Sequence, residues 1–317
     1  MRNIVAALLA LALTGCASVL CDVEAKKSDF VRLRYSQGRT ATFRYLGAGG
    51  WLIRRGDDVV LTAPFFSNPS LWKPLARRNE KAIDEQLQHI TADLPDVDAV
   101  VAAHAHYDHL MDLPYILPKL PVRAPMIGGK TVCNTLYSVL KEQRRDCQRE
   151  LTRGNIRIRA FDSQHAPHWR FGVKLQLPWP YNEPLASVPT RAFFFREGEP
   201  LSYVIDFMEN GTEEVALRVY YTDAGADPGF GIPDVQDIHV AILTVASFSF
   251  VKDQPQTIVH ELGHPKHLLL GHWENFFWPA RNDGCRVPFT DVKKYLEQLK
   301  GESLTLPDRR ALITIEY

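Results

Sequence analysis

The chain has 317 residues, 45% of them apolar and 23% charged, with 37 Lys+Arg balancing 37 Asp+Glu. That length accommodates one large domain or two small ones, and the composition is ordinary for a globular protein. A formal net charge of zero provides no global field to gather nucleic acid, which argues against a DNA-coating role and against a nucleic-acid partner.

In chain order, Arg2 and the apolar run "IVAALLALAL" come first. The run is too short to span a bilayer, which takes about 20 apolar residues, so residues 1–15 read as a signal peptide. Leu13-Thr14-Gly15-Cys16 resembles the lipobox of bacterial lipoproteins. The resemblance implies cleavage before Cys16, diacylation of its sulfur and acylation of the new amino group. Several acyl chains, palmitate among them, anchor a protein stably to a lipid bilayer. Ala17 is not the aspartate that marks inner-membrane retention in that family, so the expected place is the outer membrane, facing the periplasm. Residues 16–39 are polar and charged and read as a lipidated tether. With Cys16 used by lipid, Cys21, Cys133, Cys147 and Cys285 remain, an even number in an oxidising compartment with three pairings. Cys133 and Cys147 flank a helical-looking segment and are expected to form a local disulfide. Cys21 with Cys285 would then tie the tether to the body.

From residue 40 the pattern turns to strands. "TATFRYLG", "GWLIRR" and "DVVLTA" are short alternating or apolar runs split by "AGG" and "GDD", which predicts a meander. "LWKPLARRNEKAIDEQLQHI" contains helix, "VDAVVAAH" is a buried strand and "DLPYILPKL" a short proline-limited helix. "APMIGG" is a strand, and "KTVCNTLYSVLKEQ" has helical spacing. "IRIRAFD", "RAFFFRE", "LSYVIDF", "EVALRVYYTD", "VQDIHVAILTVA" and "HLLLGH" are read as strands, and "DVKKYLEQLK" as an amphipathic helix. Meanders followed by alternating strands and helices favour one α/β domain with two sheets over residues 40–317.

Four of these strands end on a metal-liking residue: His104, His165, Asp223 and His272. In α/β sheets, sites gather at the carboxyl ends of strands. The first end continues as "HAHYDH". His104 and His106 are two apart and point the same way in an extended stretch, while Asp108 and His109 follow in a turn into the next helix. Such a run can serve two adjacent metals, and crowding these groups together without an ion or dense hydrogen bonding would be costly. Imidazoles and carboxylates suit zinc, with manganese or iron as alternatives.

"HAHYDH" matches the HxHxDH signature of the metallo-β-lactamase fold superfamily, and "SQHAPHW", "YTDAGAD" and "LLLGHWENFF" follow in that family's order. "HAHYDHL" and "QHAPHW" most resemble the branch holding N-acyl-phosphatidylethanolamine phospholipase D and the ascorbate-lactonase-like proteins. The resemblance implies a four-layer αββα sandwich with two divalent ions at one edge. It would place His104, His106 and His165 on one ion, Asp108, His109 and His272 on the other, and Asp223 between them. His168 competes with His165; His260, His264 and His267 read as surface or supporting residues, and Asp227 as a solvated loop acid. His89 and His239 have no such context. One departure stands out: the branch carries Asp-Pro after the meander, and here Ala63 precedes Pro64. A lost supporting carboxylate typically costs 10–100-fold in metal affinity or activity.

A bridging hydroxide between two ions, oriented by Asp108 as catalytic residue, would attack an ester, amide, lactone or phosphodiester. Trp169, Trp179, Trp273, Phe276, Phe277 and Trp278 flank the later motifs and either wall an apolar cleft for a small-molecule or lipid-like substrate or pack the core. The competing reading is a non-catalytic zinc-binding envelope lipoprotein.

Overall fold

The computed structural model describes residues 31–34, 39–69, 76–166, 179–225, 229–246, 248–251, 253–277, 285–288 and 290–317. Cys16, Cys21, His168, Trp169, Asp227 and Trp278 fall outside them. The first sheet contains β1 (Val31–Arg34), β2 (Thr40–Gly47), β3 (Gly50–Arg55), β4 (Asp58–Thr62), β5 (Ala99–Val101), β6 (Met126–Ile127) and β7 (Cys147–Gln148). The second contains β8 (Leu151–Arg153), β9 (Ile156–Asp162), β10 (Leu201–Met208), β11 (Val215–Tyr221), β12 (Val240–Thr244), β13 (His267–Gly271) and β14 (Leu304–Thr305). The last strand, β15 (Leu312–Glu316), returns to the first sheet between β1 and β2. Val31–Arg34, inside the span read as tether, thus pairs in parallel with β15.

Alternation in the sequence decides which faces meet. Phe43, Tyr45, Trp51 and Ile53 of the first sheet pack with Ile158, Tyr203, Ile205, Val219 and Leu268 of the second in one buried core. Fully burying side chains of this size stabilises by roughly 1.5–3 kcal/mol each. The other face of the first sheet, with Leu52, Val59 and Leu61, is covered by Ile83 and Leu87 of α1 (Glu80–Leu87) and by two further helices, α2 (Tyr107–Leu110) and α3 (Leu113–Ile116). Leu136 and Leu140 of α4 (Lys130–Gln143) complete that layer. On the second sheet, Ile258 and Val259 of α5 (Gln256–Glu261) and Tyr295 of α6 (Val292–Gln298) join the core. The result is two mixed sheets flanked by helices. Local signals fix the helix ends: Asn79 and Asp291 cap α1 and α6 by accepting from the Ala82 and Lys294 amides, and α4 stops at Arg144 in the left-handed conformation.

Two readings need correction. "RAFFFRE" is not a strand. Residues 192–194 form a short 3-10 turn in which Ala192 and Phe195 are buried while Phe193 and Phe194 face solvent, a spacing of three rather than two. His267, first residue of the run correctly read as a strand, is neither at the surface nor among the residues that support the site. It is the buried first residue of β13, its ring nitrogens 2.7 Å from Ser303 Oγ and 2.9 Å from Thr305 Oγ1.

Cys133 and Cys147 are disulfide-bonded across a sequence separation of 14. Cys285 is disulfide-bonded as well; its expected partner, Cys21, lies outside the described residues. Closing a loop of that size contributes about 3 kcal/mol in the chain-entropy account. The Cys133→Ser/Cys147→Ser double variant is therefore expected to show a lower urea midpoint with little change in slope; an unchanged midpoint would show the bridge to be energetically silent.

His239, which has no place in the site, reports on pH. Its Nδ1 accepts the Arg218 amide at 3.1 Å, so the ring must stay unprotonated there. Burial, followed by the charges of Lys266 and Arg218, pushes its pKa down to about 4. A depressed folded-state pKa means that the unfolded chain takes up the proton first as pH falls. The resulting stability is present above about pH 6.5 and is lost as pH falls through 4. His239→Asn, which keeps an acceptor but cannot titrate, should flatten the stability–pH curve over that window. An identical slope in both proteins would remove His239 from the account.

Candidate metal centre

β5 runs parallel to β4 and β6, and β11, β12 and β13 run parallel to one another. β9, antiparallel to β10, therefore points the same way as β11. The carboxyl ends of β5, β9, β11 and β13 reach one edge of the sandwich, and the predicted residues follow them.

After β5 the chain bends at Ala103 and His104 and is extended again at His106, which precedes the single turn of α2; its carbonyl accepts the His109 and Leu110 amides at 3.1 and 3.0 Å. Tyr107 is buried edge-on against Phe65, which fixes the turn and sends Asp108 and His109 toward the site. Three groups of side chains result: His104, His106 and His165; His104, His109 and Asp223; and Asp108, His109 and His272. Within each, the ligand atoms lie within 4.8 Å of one another. All seven residues proposed to hold metal are thus brought together. His104, His106, Asp108, His109, Asp223 and His272 are buried, and His165 is half-buried.

The contacts have the look of a cation site. His104 Nδ1 is 2.8 Å from Asp223 Oδ1, which leaves its buried Nε2 without a partner. His165 Nδ1 must donate to the Ala166 carbonyl at 2.8 Å, which sets the tautomer that puts the lone pair on Nε2. His109 Nδ1 and Nε2 lie 3.1 Å from Asp223 Oδ2 and 3.4 Å from Asp108 Oδ2, yet neither forms a hydrogen bond. His272 Nε2 is 3.2 Å from Asp108 Oδ2. Despite burial, His109, His272 and His104 hold Asp108 below the usual carboxylate range, and His109 and His104 do the same for Asp223. Burial and the neighbouring His109 lower His104. His109, against its own burial, is raised to about 9 by Asp223 and Asp108. Two buried carboxylates that stay ionised, beside imidazole nitrogens without hydrogen-bond partners, fit divalent ions.

Several residues that frame the site had no motif to reveal them. Gly49, read only as part of a turn, sits against the cluster: a Cβ there would lie 2.8 Å from both Asp223 Cβ and His109 Nδ1. The Tyr221 hydroxyl is 3.0 Å from Asp223 Oδ2 and 2.8 Å from the Gly49 carbonyl. Thr62 Oγ1 donates to that carbonyl at 2.6 Å and accepts the Trp51 amide. His272 has φ 56°, a conformation that costs a non-glycine residue energy. It is held there because its amide donates to the Ala48 carbonyl at 3.1 Å and to the Tyr45 hydroxyl at 2.8 Å. Glu274 completes the brace by accepting from the Ala48 amide at 2.5 Å and from the Tyr45 hydroxyl, with Arg309 3.5 Å away. Ala63 is buried and brings no carboxylate. Asp112 instead takes the Phe66 and Ser67 amides at 2.7 and 2.8 Å. Glu197 Oε2 lies 3.9 Å from His106 Nε2.

The other candidates lie apart. His89 pairs with Arg310 at 2.9 Å on the surface, and His264 with Glu302. His260 stacks on His264 at 5.8 Å. Trp273 is core, donating to the Pro307 carbonyl. Phe276 packs on the His272 ring at 4.6 Å and on Phe277.

A profile of the beta-lactamase superfamily domain matches residues 59–243, more than half of the chain. Comparison with curated protein sequences gives no significant match. Among solved structures, Igni18, a metallo hydrolase from the archaeon Ignicoccus hospitalis, superposes with a TM-score of 0.50 at 14% identity, covering 88% of this chain and 99% of its own. The metallo-beta-lactamase fold protein YhfI from Bacillus subtilis gives 0.52 at 15% identity, with 87% and 99% covered. At these identities the likeness is one of fold.

Proposed function

Because the chain belongs to the beta-lactamase superfamily, with the metallo-β-lactamase fold, we propose that it is a membrane-anchored hydrolase dependent on two divalent metal ions, zinc first. The observation that carries this reading is the convergence of seven metal-liking side chains from four strand ends. His104, His106 and His165 would hold one ion and Asp108, His109 and His272 the second, with Asp223 shared. Ions so held supply Lewis acidity and an acidified water. The chain's own part is to aim that water. Asp108, kept ionised by its histidine neighbours, can accept a hydrogen bond from the attacking water and fix its lone pair toward the substrate. Gly49, lacking a Cβ, lets its turn lie directly against Asp223 and His109. The bond cleaved is an ester, amide, lactone or phosphodiester, in a substrate with an apolar part. Anchoring through acylated Cys16 at the periplasmic face of the outer membrane belongs to the same proposal.

The test is metal analysis of the purified chain, followed by a hydrolysis screen over phosphodiesters, lactones, β-lactams and acyl esters. The expected result is about two ions per chain and metal-dependent turnover of one class. His104→Ala should lower the ion content and His89→Ala should not. Full occupancy with no turnover on any class would favour the non-catalytic metal-binding lipoprotein. Cys16→Ser should abolish lipidation and leave unprocessed precursor; normal processing of that variant would remove the anchor.

A further inference from the structure

Among the described residues, six large apolar side chains are exposed, and four gather on one side of the molecule: Tyr137 (41%), Trp179 (63%), Phe193 (50%) and Phe194 (47%). The segment that presents three of them is firmly seated. Asn134 of α4, one turn before Tyr137, donates to the Tyr181 carbonyl at 2.6 Å. The Tyr181 hydroxyl donates to the Phe194 carbonyl at 2.9 Å. The Ala192 amide donates to the Ala76 carbonyl at 3.1 Å. Phe195 is buried beneath, so Phe193 and Phe194 project because their backbone is fixed. The same turn packs on α2, which carries Asp108 and His109. Three residues beyond Phe194, Glu197 faces His106. The aromatic patch is therefore a rim of the metal centre.

We propose that this rim docks on a lipid bilayer bearing anionic headgroups and presents the site to lipid-borne substrate. Isolated exposed apolar residues are ordinary, whereas a cluster marks a contact surface. The composition selects lipid. Trp and Tyr favour the membrane interface, where one part of the ring is apolar and the other wet. Cations lie at the level of the rings: the Arg196 guanidinium is 4.0 Å from the Tyr181 centroid and Lys141 Nζ 5.7 Å from that of Tyr137. Lys141 is exposed and can reach headgroup phosphates while its stem lies on apolar surface, whereas Arg196 is half-buried against Tyr181 and donates to the Pro180 carbonyl. No helix among the described residues is long and apolar enough to cross a membrane, so this contact is peripheral. The inference deepens the hydrolase reading but stands on the patch, and its test does not read activity.

The experiment uses the full chain with vesicles of phosphatidylethanolamine and phosphatidylglycerol whose acyl chains are brominated, with unbrominated vesicles as control. Subtracting the emission of Trp179→Phe isolates Trp179. The expected result is that Trp179 loses most of its emission in the brominated vesicles, and that Phe193→Ser/Phe194→Ser restores it while the chain still floats with the lipid. Flotation retained after Cys16→Ser but lost when the two serines are added would also support the patch. A chain that floats with Trp179 unquenched would overturn the proposal. So would a Trp179 already shielded without lipid by a second copy or a bound protein.

Discussion

Asp108→Asn is expected to lower turnover by roughly 10²–10³-fold, the loss typical when one electrostatic group of a preorganised site is removed, even where metal stays bound. Its carboxylate stands between His109 at 3.4 Å and His272 at 3.2 Å, so the amide would remove negative charge from the second ion and one of the two acceptor oxygens that can orient the attacking water. Asparagine keeps the size and one acceptor oxygen, and the buried position of Asp108 in α2 gives no reason for the helix turn to break. Metal content and turnover measured together separate the two effects. His104→Ala should lose ion content and turnover in parallel, whereas Asp108→Asn should lose turnover further than its ion content falls. Normal turnover in Asp108→Asn would exclude the proposed role.

The second large effect is expected at Glu274→Ala, at about 3–5 kcal/mol of stability, the usual cost of breaking a buried ion pair from one side. Its carboxylate serves the Ala48 amide, the Tyr45 hydroxyl and Arg309, and all three are buried. Removing it strands the Ala48 amide, leaves the Tyr45 hydroxyl only the Ala48 carbonyl at 3.4 Å, and takes the counter-charge from Arg309. The same change frees the loop that carries Gly49 and loosens the amide of His272, so metal affinity should fall with stability. Chemical denaturation and metal titration of Glu274→Ala, with Glu274→Gln as the milder change, test this. Ala63→Asp addresses whether Glu274 stands in for the carboxylate missing beside Pro64. Improved metal retention in Ala63→Asp would show a real deficit. No gain would mean that Glu274, Thr62 and Asp112 already support the loops.

What the chain reveals before folding follows the range of each interaction. α4 and β9 occupy the residues predicted, 130–143 and 156–162, because their periodicity and end signals are local. The residues that cluster at the sandwich edge were legible because chemistry-bearing residues at the ends of apolar runs need only the general rule for α/β sheets to be brought together. Tyr45, Ala48 and Glu274 were not: they meet across 226 to 229 residues, and each looks ordinary in its own segment. "RAFFFRE" failed for the opposite reason. Its apolar density matches a strand, but its burial has the spacing of a turn, and the docking of that turn on α2 is not encoded within seven residues. The burial of His267 was missed because its partners, Ser303 and Thr305, arrive from 36 and 38 residues further along the chain.

The ligand groups divide between the two layers: His104, His106, Asp108 and His109 follow a strand of the first sheet, and His165, Asp223 and His272 follow strands of the second. An ion bound by both sets would be a further crosslink between sheets already joined by apolar packing and by the hydrogen bonds of Tyr221, His272 and Glu274 to the Ala48–Gly49 turn. Its contribution to folding grows with the logarithm of free ion concentration, because only the folded chain assembles the site. Ion supply would then govern how long a molecule survives as well as how fast it works. Under chelation, the failure would begin as a parting of the sandwich at the edge where those strands end.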